Sequence, residues 1–209
     1  MNLMKHKRIL LFFAISVLIP VSSAYAQNNE AASPFAYRGF SGGMMLHAGF
    51  VENALTPLPN HEVSAPTTGI GGAIRFHFGE HLRVGTEGYT SNAKLWGNGS
   101  YVQSGWGGLL VDVPFTFDRW TVFAGITVGG GESKGVYMLQ GDASDWQPEE
   151  EFYYHKFGFA MVDPFFGIEY RLTDVIHVVL KGDWMMGLGE NVTHLPTGPR
   201  AYIGFMFYR

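Results

Sequence analysis

Gly198-Pro-Arg-Ala-Tyr-Ile-Gly-Phe-Met-Phe-Tyr-Arg209 closes the chain, and its pattern decides how the rest is read. Ala201, Ile203, Phe205 and Phe207 share one face, while Arg200, Tyr202, Gly204 and Met206 share the other, the period of two expected of a strand. An apolar edge of this kind invites aggregation unless another strand covers it. The segment therefore needs a partner to close against, and the same alternation recurs through the chain.

Working back from it, Ile176, Val178, Leu180, Gly182, Trp184 and Met186 oppose His177, Val179, Lys181 and Asp183. Before them, Ala160, Val162, Pro164, Phe166, Ile168 and Tyr170 oppose Met161, Asp163, Phe165 and Glu169. The remaining strands are expected at Tyr37 to Val51, Thr67 to Phe78, Leu82 to Asn92, Ser100 to Phe117 and Trp120 to Val128. Pro114 removes a ladder donor and predicts a bulge or break in its strand. Short connectors at residues 79–81, 118–119 and 172–174 alternate with longer loops at 52–66, 94–99, 129–156 and 187–197. The edges of the 129–156 stretch are strand-like and extend the wall. Eight strands with short turns at one end and long loops at the other make an all-β fold, an eight-stranded antiparallel up-and-down transmembrane β-barrel. Ten residues tilted about 45° span roughly 23 Å, the height of an apolar band. Phe76, Phe78, Phe115, Phe117, Trp120, Tyr170, Phe205 and Phe207 gather at the short-turn end as an interfacial girdle.

Composition agrees and excludes other classes. Charged residues are 15% of the chain, against about a quarter in ordinary soluble domains. Aromatics also reach 15%, yet no segment beyond the leader approaches the roughly 20 apolar residues of a membrane helix. Lys5, Lys7 and Arg8, the apolar run Ile9 to Pro20 and Ala24-Tyr25-Ala26 read as a secretory signal peptide, residues 1–26, cleaved before Gln27. Residues 27–36 form a flexible lead, and 37–209 the barrel. Removing the leader takes three basic and no acidic residues, moving the formal charge from −4 to −7, which argues against nucleic acid or an anionic lipid surface as the main partner. The absence of cysteine excludes a disulfide framework and a lipid-modified N-terminal cysteine.

On these strands, turns and girdles the chain resembles the small eight-stranded outer-membrane β-barrels of Gram-negative bacteria, over Tyr37 to Arg209. The family's assembly signal, polar-x-Gly-x-x-aromatic-x-aromatic, is matched by Gly204 and Phe207, with Arg209 standing where an aromatic is usual. The resemblance implies an outer-membrane location, contact with outer-membrane lipid and recognition by the barrel assembly machinery. It also implies that short turns face the periplasm and long loops the exterior.

Eight charged residues fall on the inward face: Arg75, Arg83, Glu87, Asp112, Asp163, Glu169, Lys181 and Asp183. Eight strands leave an interior just wide enough for side chains. These residues therefore read as a salt-bridge network filling the lumen rather than as a conduction path. Neighbouring strands suggest the pairs Asp163 with Lys181 and Arg75 with Glu87. Because a lone buried charge is costly, pairing is expected to be nearly complete. Glu169 and His177 could form half of a hydrolytic triad, with Ser41 or Ser104 as nucleophile, but a lumen hydrogen bond is the plainer reading. His47, His155 and His194 share no motif. Glu149, Glu150 and Glu151 lack the spacing of a cation-binding loop and read as a solvated face. No cofactor or metal is expected.

Trp146, Tyr153 and Tyr154, set among acids, suit recognition of an extracellular protein or glycan. The favoured role is an outer-membrane barrel with a filled lumen and a structural or surface-interaction function through its loops, without enzymatic activity. The alternatives are a narrow porin-like channel for small or apolar solutes and an enzyme modifying outer-membrane lipid.

Overall fold

Alternation along each strand becomes a two-sided wall once the strands pair. The computed structural model describes residues 35–55, 62–95, 99–139, 151–189, 195 and 197–209. The expected signal peptide, most of the lead and Trp146 lie outside them. Nine strands are described: β1 (Tyr37–Leu55), β2 (Glu62–Phe78), β3 (Leu82–Lys94), β4 (Tyr101–Phe117), β5 (Trp120–Leu139), β6 (Glu151–Arg171), β7 (Ile176–Trp184), β8 (Met186–Leu188) and β9 (Pro199–Tyr208). Each pairs antiparallel with its neighbours, and β1 pairs with β9 from Ser41↔Tyr208 to Gly49↔Arg200, closing the ring. The partner required by the terminal segment is thus the first strand. Closure satisfies its backbone groups and leaves no edge in the wall.

β7 and β8 form one stave interrupted at Met185, so the ring has eight staves. The cause lies in β6. Pro164 has no N–H to donate, and the ladder from β6 to this stave skips Asp163 and Pro164, resuming as Phe165↔Asp183 on one side and Val162↔Met186 on the other. Pro114 behaves differently from expectation. It keeps its place opposite Phe123 in the β4–β5 ladder without a bulge. Its missing donor falls just past Arg83↔Asp112, where the β3–β4 ladder ends, and its carbonyl is hydrogen-bonded to His81 at 3.0 Å.

Two expected loops shrink. The β1–β2 hairpin continues to Leu55↔Glu62. The β5–β6 hairpin continues to Leu139↔Glu151, so most of the 129–156 stretch is paired strand. Beyond the hydrocarbon the outward face of a hairpin meets water while its inward face stays covered, as the buried Val51, Ala65, Ser133, Val136 and Tyr137 show, so the outward apolar row disappears while backbone pairing persists. Alternation therefore marked where the lipid ends rather than where the strands end.

The outward face is apolar and open. Met44, Leu46, Ile74, Leu109, Val128, Phe166, Leu180, Ile203 and Phe205 are all exposed, Leu109 by 67% and Phe166 by 71%. No soluble domain leaves so continuous a belt in water, whereas lipid tails cover it at no cost. Phe76, Phe115, Phe117, Trp120 and Phe207 form its rim at the tight-turn end, where the Trp120 and Tyr170 rings lie 4.6 Å apart. Tyr101, Tyr154 and Trp184 mark the loop end. Glu132, Lys134 and Lys156 lie between the belt and the level of Tyr101 and Tyr154, and Glu132 pairs with both lysines, at 3.2 and 2.7 Å. The hydrogen bond from Lys156 holds the Glu132 carboxyl below its ordinary range.

Candidate functional site

The inward face carries the polar side chains, and it fills the lumen. Small residues make room: a Cβ on Gly125 would lie 2.6 Å from the Phe165 ring. Buried there are four cations, Arg75, Arg83, Lys181 and Arg200, and five carboxylates, Glu87, Asp112, Asp163, Glu169 and Asp183. All eight expected lumen residues are among them. Arg200 joins them from the terminal strand; its inward position was evident, but one cation on a short strand gave no sign of a partner.

The charges sort into two layers. Nearer the tight turns is a clamp. Arg83 and Asp112 sit directly opposite on β3 and β4, with Nε 2.5 Å from Oδ1. Arg75 reaches the other oxygen of Asp112 at 3.1 Å. Both arginines then cross the lumen to Oε1 of Glu169 on β6, at 3.1 and 2.9 Å. Tyr208 donates to the second oxygen of Glu169. The Phe123 ring lies within 4.9 Å of both guanidinium carbons, the contact of a cation with a π face.

Above the clamp, Lys181 on β7 crosses the lumen to Glu87 on β3 at 2.8 Å. Glu87 also accepts from Thr127 at 2.5 Å and from Tyr89 at 3.3 Å. The Lys181 ammonium lies between the rings of Tyr89, Phe165 and Tyr202, at 4.6 to 5.0 Å. Asp183 is looser, 3.8 Å from Lys181 and 4.0 Å from Arg200. Arg200 stacks on Trp106 at 4.6 Å. Asp163 is fully buried and forms no ion pair with a described lysine or arginine.

Both expected pairs are therefore corrected. The register Gly167↔Lys181 carries Lys181 away from Asp163, which faces the break in the β7–β8 stave. Arg75 lies diagonal to Glu87, as Arg75↔Gly85 and Ala73↔Glu87 require, but takes Asp112 and Glu169 as partners. Nor is pairing nearly complete, since Asp163 forms no ion pair with a cation among the described residues.

The triad residues do not converge. His177 Nδ1 lies 3.8 Å from Glu169 and its ring stacks on Tyr208, whereas Ser41 is hydrogen-bonded to a different histidine, His77, at 2.9 Å. Ser104 bonds Ser133 toward the opposite end of the barrel. His47 bonds the Thr90 carbonyl at 2.9 Å. No group of three or more metal-ligating side chains occurs among the described residues.

Of the loop residues, Tyr154 is exposed on β6; the side chain of Tyr153 lies outside the described residues, as do Trp146 and His194. Gly204 packs inward against Met45, where a Cβ would come within 2.7 Å of Met45 Cγ, and Phe207 points out into the girdle.

A closed ring with an exposed apolar belt, two aromatic rims and a charged, filled interior has one architecture. The chain folds as a small eight-stranded outer-membrane β-barrel. Solved structures agree: the outer membrane protein OprG from Pseudomonas aeruginosa superposes with a TM-score of 0.53 at 11% identity, covering 84% of this chain and 98% of that one. Neisserial surface protein A superposes with a TM-score of 0.50 at 11% identity, covering 83% and 97%. No protein-family model and no curated protein matches the sequence. At such identity the likeness is one of fold. In this barrel the lumen charges hold opposite walls together, and their chemistry as found is that of ion pairs and hydrogen bonds.

Proposed function

We propose that this protein is an integral outer-membrane barrel without enzymatic activity, whose wall is structural and whose function is surface recognition through its extracellular loops, chiefly the one borne by the β5–β6 hairpin. The observation that carries the reading is the length of that hairpin. It runs to Leu139 and Glu151, past the end of the apolar belt, and the sequence between them carries Asp142, Asp145, Trp146, Glu149 and Glu150, which lie outside the described residues. Trp and Tyr are the side chains that anchor interfaces, and Tyr154 stands exposed on β6. Extracellular protein or glycan is the partner class this suits. Outer-membrane lipid contacts the belt, and assembly machinery reads the terminal strand through Gly204 and Phe207.

The test is removal of Gln140 to Glu150. Cells displaying the parent are expected to bind a glycan array or immobilised matrix protein, and cells displaying the deletion are expected to lose that binding while the barrel keeps heat-modifiable gel migration. Binding that survives the deletion, or a parent that binds neither surface, would overturn the reading. Planar bilayers address the channel alternative: stable single-channel steps altered by Lys181→Met would favour it. An altered lipid acyl pattern in cells carrying the protein would favour the enzyme.

A further inference from the structure

The tight-turn end of the lumen opens into a polar recess of about 140 Å³, separate from the loops. Its inner wall includes Arg83, His77, His177 and Tyr208, and its rim includes Arg119 and Arg171. Arg83 is 1% exposed and spends two nitrogens on the clamp: Nε on Asp112, and Nη1 on Glu169 and Tyr208. The third, Nη2, is buried and has no hydrogen-bond partner among the described residues. A buried guanidinium N–H left unpaired costs free energy that an acceptor would recover.

Guanidinium donors make an anionic acceptor the fitting one. At the rim Arg119 and Arg171 stand beside Glu80 and Asp118, all four exposed in the turns, while the charge of Arg83 is matched by Asp112 and Glu169. The carboxylate behind Arg83, Glu169, is already shared with Arg75 and Tyr208. Arg171 is held in place by donating to the Asp118 carbonyl at 3.0 Å, which leaves its other nitrogens for a ligand. Thr116 and Thr121 share a hydrogen bond of 2.9 Å across facing strands, which leaves one hydroxyl proton to donate beside them.

We propose that this recess binds a small oxyanion, a phosphate or a phosphodiester, with Arg83 Nη2 as the buried donor and Arg119 and Arg171 as the rim clamp. Guanidinium groups match the geometry of phosphate oxygens, and one such group already fixed by ion pairs loses little freedom on binding. Two sources share this chemistry: free phosphate in the periplasm, and the phosphodiester headgroup of inner-leaflet lipid.

The experiment is calorimetric titration of the full mature chain, folded in non-ionic detergent, with inorganic phosphate and separately with glycerophosphoglycerol, at constant ionic strength set with sodium chloride. Saturable binding is expected, and Arg119→Ala combined with Arg171→Ala should raise the Kd at least tenfold. These side chains are exposed, so heat-modifiable migration should be unchanged. Tighter binding of inorganic phosphate identifies a free anion as the ligand, and tighter binding of the diester identifies a lipid headgroup. No heat beyond that of chloride, or the same Kd in parent and double variant, would overturn the proposal.

Discussion

The clamp near the turns and the layer above it are built from the same residue types and resolve their charges differently. In the clamp, two arginines and two carboxylates are interleaved so that every group has at least one partner of opposite charge within 3.1 Å, and Tyr208 adds a hydrogen bond. In the upper layer only Lys181 with Glu87 reaches that standard, Asp183 stands 3.8 Å or more from its cations, and Asp163 has none among the described residues. Burial alone therefore does not make a charge a bolt across the barrel. Desolvation is repaid where several donors converge on one acceptor and remains a cost where they do not.

Substitutions can break that contrast, read as urea-unfolding midpoints of the barrel refolded in lipid vesicles. The largest effect is expected for Glu169→Ala, which strips the shared acceptor from two fully buried guanidinium groups and should cost about 5 kcal/mol, the upper end for breaking a buried pair. Lys181→Met should cost less, about 3 kcal/mol, because the orphaned Glu87 retains hydrogen bonds from Thr127 and Tyr89. Asp163→Asn should act in the opposite direction. It replaces a buried carboxyl that has no cation among the described residues and should gain up to about 1 kcal/mol; a loss as large as that of Lys181→Met would mean the two layers are equivalent. Glu132→Gln lies outside both layers on the exposed rim, where solvent screens its lysines, and the midpoint should not move.

The wall was legible residue by residue. Every inward charge named from alternation is buried, and the strong outward apolar residues are exposed, because a one-residue slip would move a whole strand's charges into lipid. The tight turns at 79–81 and 118–119 fixed which strands are neighbours, and closure between the first and last strands followed from the apolar terminal edge. The hairpin extensions were less legible, since a strand whose outward face has turned polar loses the apolar row of period two, even where Ser133 and Tyr137 remain buried inside. Pro164 was visible, but its consequence, a stave split at Met185, depends on which side of β6 lacks its ladder bond.

By itself the sequence determined which side chains face lipid and which face the lumen, because strand alternation is local and the bilayer penalises errors severely. The tertiary structure alone decided who pairs with whom inside. Neighbour reasoning pointed Lys181 at Asp163 and Arg75 at Glu87, each on an adjacent strand, whereas the closest partner of Lys181, Glu87, and one of those of Arg75, Glu169, lie across the lumen, 94 residues away in the chain. Such contacts depend on barrel diameter, strand tilt and stagger taken together, quantities that exist only once all eight staves have closed.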